Sequence, residues 1–125
     1  MNDYQSDALR TLSTQFHLSD DDGENGVSPD LLHGAIGLAT EAGELLDAVK
    51  RSLFYGGELD RTNLVEELGD LEWYMAVIRD ALAVEQNEVQ RINIDKLKAR
   101  YPEKFSSDDA LQRDLARERE ILENG

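Results

Sequence analysis

Residues 28–54 read SPDLLHGAIGLATEAGELLDAVKRSLF, and residues 60–84 read DRTNLVEELGDLEWYMAVIRDALAV. In both, apolar residues recur at alternating steps of three and four. The first stretch gives Leu31, Ala35, Leu38, Ala42, Leu45 and Val49, and the second gives Leu64, Leu68, Leu71, Met75, Ile78 and Leu82. Such seams belong to helices that pack along one stripe, and strand-like alternation of β-branched residues is absent. Ser28-Pro29-Asp30 supplies an N-cap, a proline for the first turn and an acid for the helix dipole. Gly56-Gly57 ends that helix after about Phe54, and Asp60 caps the next, which runs to about Val84.

Working outward, a helix is predicted over residues 3–16, with Tyr4, Ala8, Leu12 and Phe16 on one face. The acidic segment Ser19–Gly26 resembles half a calcium loop. Counted from Asp20, however, its positions 5, 6 and 12 are Glu24, Asn25 and Leu31, where the calcium loop needs an acidic or amide group, a glycine and a glutamate. It reads as a flexible loop. A fourth helix spans about 86–100 and stops before Pro102, and Ser106-Ser107-Asp108-Asp109 starts a short charged helix to about Leu122. The expected fold is all-α, four main helices plus a short C-terminal one. Residues 1–105 form the expected domain and 106–125 a tail.

The 125 residues suit one domain. With no cysteine, disulfides and thiolate metal sites are excluded. No signal peptide or membrane span is read, so a cytoplasmic protein is expected. With 27 acidic against 13 basic residues, the net charge of −14 disfavours nucleic acid, whose binding depends on Lys and Arg at phosphates. A free nucleotide remains possible, because a metal ion can mediate between carboxylates and phosphates.

Acids flank both seams in the same way. Glu41 and Glu44 precede Ala42 and Leu45; Glu67 and Asp70 precede Leu68 and Leu71. Residues three apart on a helix diverge by only about 60°, so each pair can reach one point. If the seams pack together, four carboxylates converge. Like charges about 4 Å apart repel by several kcal/mol at an effective dielectric near 20, so protons or cations must compensate. Magnesium, a hard ion that prefers oxygen, is the natural cation, and manganese can replace it. The plainer alternative is a set of solvated acids beside a bundle seam. The matched register, and Glu66, Glu67, Asp70 and Glu72 lying together without a nearby cation, favour a site.

On the fourth helix Asn93, Lys96 and Arg100 form one polar stripe suited to phosphate oxygens, with Lys50 and Arg51 as weaker candidates. Trp73, Tyr74, Val77 and Ala81 are placed away from the Leu seam, which suggests a second partner for that helix and hence self-association.

Glu41-Ala-Gly-Glu44-Leu followed by Glu66-Glu67-Leu-Gly-Asp70-Leu resembles the Glu-x-x-Glu and Glu-x-x-Asp signature of the MazG-like all-α nucleoside triphosphate pyrophosphohydrolases. The spacing of 22 residues between Glu44 and Glu67 is similar to the family's, as is the segment from Asn93 to Phe105. The resemblance implies a MazG-like bundle with magnesium at Glu41, Glu44, Glu67 and Asp70, and water attack at the α-phosphate of a nucleoside triphosphate, taken here as a deoxynucleotide. It also implies release of pyrophosphate, Glu41 or Glu44 as general base, substrate contacts from Asn93 and Lys96, and a homodimer or homotetramer with sites at subunit contacts. Related motifs occur in dimeric dUTPases and phosphoribosyl-ATP pyrophosphohydrolases. Two rivals stand beside it. A di-iron bundle needs Glu-x-x-His pairs, and neither His17 nor His33 lies three residues after a Glu. A non-enzymatic acidic module binding a basic partner agrees with the charge alone.

Overall fold

The computed structural model describes residues 3–19 and 26–125. Among these residues six helices follow in order: α1 (Asp3–Leu9), α2 (Pro29–Tyr55), α3 (Arg61–Leu82), α4 (Gln86–Arg100), α5 (Ser107–Leu111) and α6 (Leu115–Asn124). Among the described residues there is no strand, only an isolated bridge between Leu18 and Val27. The acidic loop from Asp20 to Asn25 lies outside the described residues. Among the described residues no helix is long and apolar enough to cross a membrane.

The long helices start and stop where local chemistry dictates. Ser28 Oγ accepts from Leu31 N at 3.1 Å, and Gly56 closes α2 in the left-handed region at φ 74°. Asp60 Oδ1 accepts from Asn63 N at 3.1 Å to open α3. Its end at Leu82 is set by Ala83, a non-glycine residue at φ 54°, whose N–H donates back to Arg79 and Asp80.

Two predicted helices differ. The first ends at Leu9 rather than residue 16. Thr11 Oγ1 donates to the Ala8 carbonyl at 2.8 Å and Ser13 Oγ to the Gln15 carbonyl at 3.0 Å, so hydroxyls take over backbone groups that a helix needs. Tyr4, Leu12 and Phe16 are exposed, so this face gives the helix little tertiary support. The single predicted tail helix is two. Ser106 caps α5, and Asp114 caps α6 by accepting from Arg117 N, which breaks the chain between Leu111 and Leu115.

The packing pairs α2 with α3 and α4 with α6. Along α2 the half-buried line runs Leu31, Gly34, Leu38, Glu41, Leu45, Ala48; along α3 it runs Leu64, Glu67, Leu71, Tyr74, Ile78. Ala35, Ala42, Val49, Leu68 and Leu82, predicted in the seams, are exposed instead. Glycine is the reason. A Cβ on Gly34 would lie 2.6 Å from Ile78 Cγ1, and one on Gly37 would lie 2.0 Å from Tyr74 Cε1. The two helices approach through these bare positions, and the rotation carries Glu41 and Glu67 into the contact face. Tyr74, expected away from the seam, sits in it against Gly37.

Candidate functional site

The site lies where the α2–α3 seam stops being apolar. Carboxylate oxygens of Glu41, Glu67 and Asp70 all lie within 4.8 Å of one another. Glu41 and Glu67 are half-buried, whereas Asp70 is exposed. Glu44 is exposed and outside this triad, though close enough to act electrostatically on Glu67. Of the four expected carboxylates, then, three share one point and the fourth borders it.

Glu67 carries the strain of this arrangement. Its Oε2 is buried and has no hydrogen-bond partner. Burial is the main cause that raises its pKa above the ordinary carboxylate range. A hydrogen bond to Glu41 adds to this, as do the charges of Glu41, Asp70 and Glu44. A buried carboxylate oxygen without a hydrogen-bond partner keeps a lone pair available to a cation. The donors are all oxygen, which suits a hard divalent cation, so the three residues could hold such an ion.

Beside the acids opens a pocket of about 320 Å3 lined by Glu41, Asp70, Trp73 and Tyr74. Trp73 and Tyr74 meet edge-on at 5.0 Å and 90°, and the His33 ring stands 6.2 Å from the first and 5.7 Å from the second. Trp73 keeps 56% of its surface exposed. From the sequence these rings are expected on a self-association face, away from the Leu seam. One signal for the pocket was present in the sequence: Trp73 and Tyr74 fall three and four residues after Asp70, the same helical face to within a turn.

The predicted cationic residues are not drawn to the acids. Lys50 pairs with Asp47 at 3.3 Å, as Arg51 does at 2.9 Å. Nine residues beyond Glu41, Lys50 points to roughly the opposite side of α2. Arg100 is bound in a fork by Glu118 of α6, Nε to Oε1 at 2.6 Å and Nη2 to Oε2 at 3.2 Å. Arg113 also donates to that carboxylate. Glu118 is the buried charged residue among those described, and its two guanidiniums hold its pKa down to about 2. Asn93 is exposed and Lys96 half-buried on α4; no hydrogen bond or ion pair joins either to the four acids among the described residues. The Arg100–Glu118–Arg113 clamp went unread in the sequence, because its partners are 18 and 5 residues apart and share no helix face.

The chain was also compared with known proteins. Residues 34–105 match the family profile of the MazG nucleotide pyrophosphohydrolase domain. No curated protein matches, and no solved structure matches. The matched stretch contains α3, α4 and all but the first turn of α2, with all four acids, and covers more than half of the 125 residues.

Proposed function

The chain belongs to the MazG nucleotide pyrophosphohydrolase family, and we propose that it hydrolyses a nucleoside triphosphate, with deoxynucleotides as the expected class, to the monophosphate and pyrophosphate. The observation that carries this is the Glu41–Glu67–Asp70 triad with its orphaned Glu67 oxygen, set beside an aromatic pocket. A net charge of −14 repels a bare triphosphate, so the acids need a cation to accept one.

Glu41, Glu67 and Asp70 would hold magnesium, with manganese as a substitute. Bound there, the ion would neutralise phosphate charge and lower the pKa of a coordinated water. The protein's own groups do the rest. Of the two candidate bases, Glu41 is taken up in the triad, while exposed Glu44 is free to accept the proton of the attacking water. Attack at the α-phosphorus breaks its bond to the bridging oxygen, and pyrophosphate leaves. Trp73, more than half exposed and lining the pocket, offers a stacking surface for the base. Asn93 and Lys96 on α4 are proposed to contact phosphate. Lys50 and Arg100 would first have to leave Asp47 and Glu118. We further infer that the working form is a homodimer or homotetramer. The chain exposes 10415 Å², against roughly 6,700 Å² for a compact monomer of this mass.

The test is a panel of NTPs and dNTPs with magnesium, assayed for pyrophosphate and orthophosphate separately. Pyrophosphate in step with monophosphate supports the reading; orthophosphate alone would assign another reaction. Lys96→Ala should raise KM without altering the melting temperature, and unchanged kinetics would remove Lys96 from the site.

A further inference from the structure

The aromatic corner of the pocket is tied across two helices by a residue that the proposed reaction leaves unused. Trp73 and Tyr74 are neighbours on α3 and diverge by about 100°. Tyr74 is half-buried in the seam, where the bare Gly37 admits its ring. Trp73 stands on the rim, more than half exposed, and lines the pocket with Glu41 and Asp70. Among the described residues its ring meets two others: Tyr74, its own neighbour, at 5.0 Å, and His33 of α2 at 6.2 Å. The imidazole also meets Tyr74 at 5.7 Å, and the three rings cross steeply, at 66°, 74° and 90°. In such contacts the positive edge of one ring meets the negative face of another. His33 is not a seam residue. The line of α2 that meets α3 runs Leu31, Gly34, Leu38 and Glu41, and His33 stands beside it, one turn before Gly37, with its side chain exposed. Burial therefore does not account for it. It also precedes the stretch 34–105 that matches the family profile, so family membership assigns it no role.

We propose that His33 is a positioning residue of the base pocket: its ring braces Trp73 and Tyr74 from α2 and holds the indole on the rim, where a nucleobase stacks on it. The platform is then fixed before the base arrives, which spares the entropy of ordering the Trp73 side chain on binding. Eight residues before Glu41, His33 lies about 12 Å along α2 from the acids. The brace therefore acts on substrate affinity and leaves the chemical step alone. This inference rests on the reading of Trp73 as the stacking surface for the base.

Trp73 is the one tryptophan of the chain, so the anisotropy of its emission reads the brace in the free protein. The position is exposed and alanine favours helix, so His33→Ala should keep the helical circular dichroism while lowering that anisotropy. His33→Phe, which keeps a ring edge, should restore it, and His17→Ala, at the other histidine, should leave it unchanged. In turnover with magnesium, His33→Ala should raise KM about three- to tenfold at unchanged kcat, the signature of lost uniform binding. Because His33 acts through Trp73, the His33→Ala/Trp73→Ala pair should be no worse than Trp73→Ala alone. Unchanged anisotropy in His33→Ala, additive effects in the double variant, or a His33→Phe that fails to restore KM overturns the brace. A Trp73→Ala variant that keeps the wild-type KM overturns the stacking surface and the brace together. If the wild type releases no pyrophosphate, the reaction fails separately, and quenching of Trp73 emission by each nucleotide with magnesium replaces KM in comparing His33→Ala with His33→Phe; no quenching in the wild type then overturns the pocket and the brace.

Discussion

Glu67 is the residue on which the site turns. It is half-buried beside two other carboxylates with one buried oxygen unpartnered, which is unfavourable for the ion-free fold and useful for binding a cation. Glu67→Gln should therefore raise the melting temperature of the metal-free protein while removing its stabilisation by magnesium, both read in one set of thermal scans with and without the ion. A lower metal-free melting temperature would show that Glu67 has an unseen partner. Glu44→Gln should leave the fold intact, because the side chain is exposed, and slow pyrophosphate release by about a hundredfold or more if it takes the water's proton. The acids were legible in the sequence because paired i and i+3 carboxylates beside two seams stand out against random placement. Their division into three that share a point and one that borders it was not, since it depends on a rotation of α2 against α3 that spacing leaves undetermined.

That rotation belongs to the scale of the element. Counting alanine as apolar and glycine as neutral puts Ala35 and Ala42 in the seam. Sterics instead put Gly34 and Gly37 there, because only a bare Cα admits Ile78 and Tyr74 so closely. Gly37→Ala should consequently destabilise the protein by about 1–3 kcal/mol, overpacking outweighing the gain in helix propensity, and should disturb the pocket through Tyr74. Denaturant unfolding measures the first effect and KM the second. The end of α3 offers the opposite case. Ala83 is held at φ 54°, where an L-residue is strained, and Ala83→Gly should stabilise the fold by about 0.5–1 kcal/mol in the same assay. The caps at Ser28, Asp60 and Ser106 were all readable from residue type, because capping is decided within one turn. The early end of α1 was not readable. Its apolar period is real, but the side chains that carry it stay exposed.

At the scale of the whole molecule, two helix pairs carry the fold, and the tail is fastened to α4 by the buried Glu118 carboxylate and by Arg91, which donates to the Gly125 carbonyl. The pKa of Glu118 is lowered to about 2 from 4.5, so its contribution is fully present above about pH 4.5 and is lost as pH falls through about 2. The protection of α6 amides relative to their intrinsic exchange rates should fall over that interval, and Glu118→Gln should remove the pH dependence by leaving α6 loosely held at every pH. The all-α class and the paired central helices followed from periodicity alone, whereas the tail's anchorage depends on tertiary contacts that no local pattern encodes. Magnesium with a nucleotide should stabilise the whole by about 2.7 kcal/mol at a hundredfold excess over Kd. The central claim is water attack at the α-phosphorus by a MazG-family site built on Glu41, Glu44, Glu67 and Asp70. Its most direct test is turnover with magnesium in 18O-labelled water, followed by mass spectrometry of both products. The account predicts one labelled oxygen in the nucleoside monophosphate and none in pyrophosphate; label in pyrophosphate, or in released orthophosphate, would contradict it.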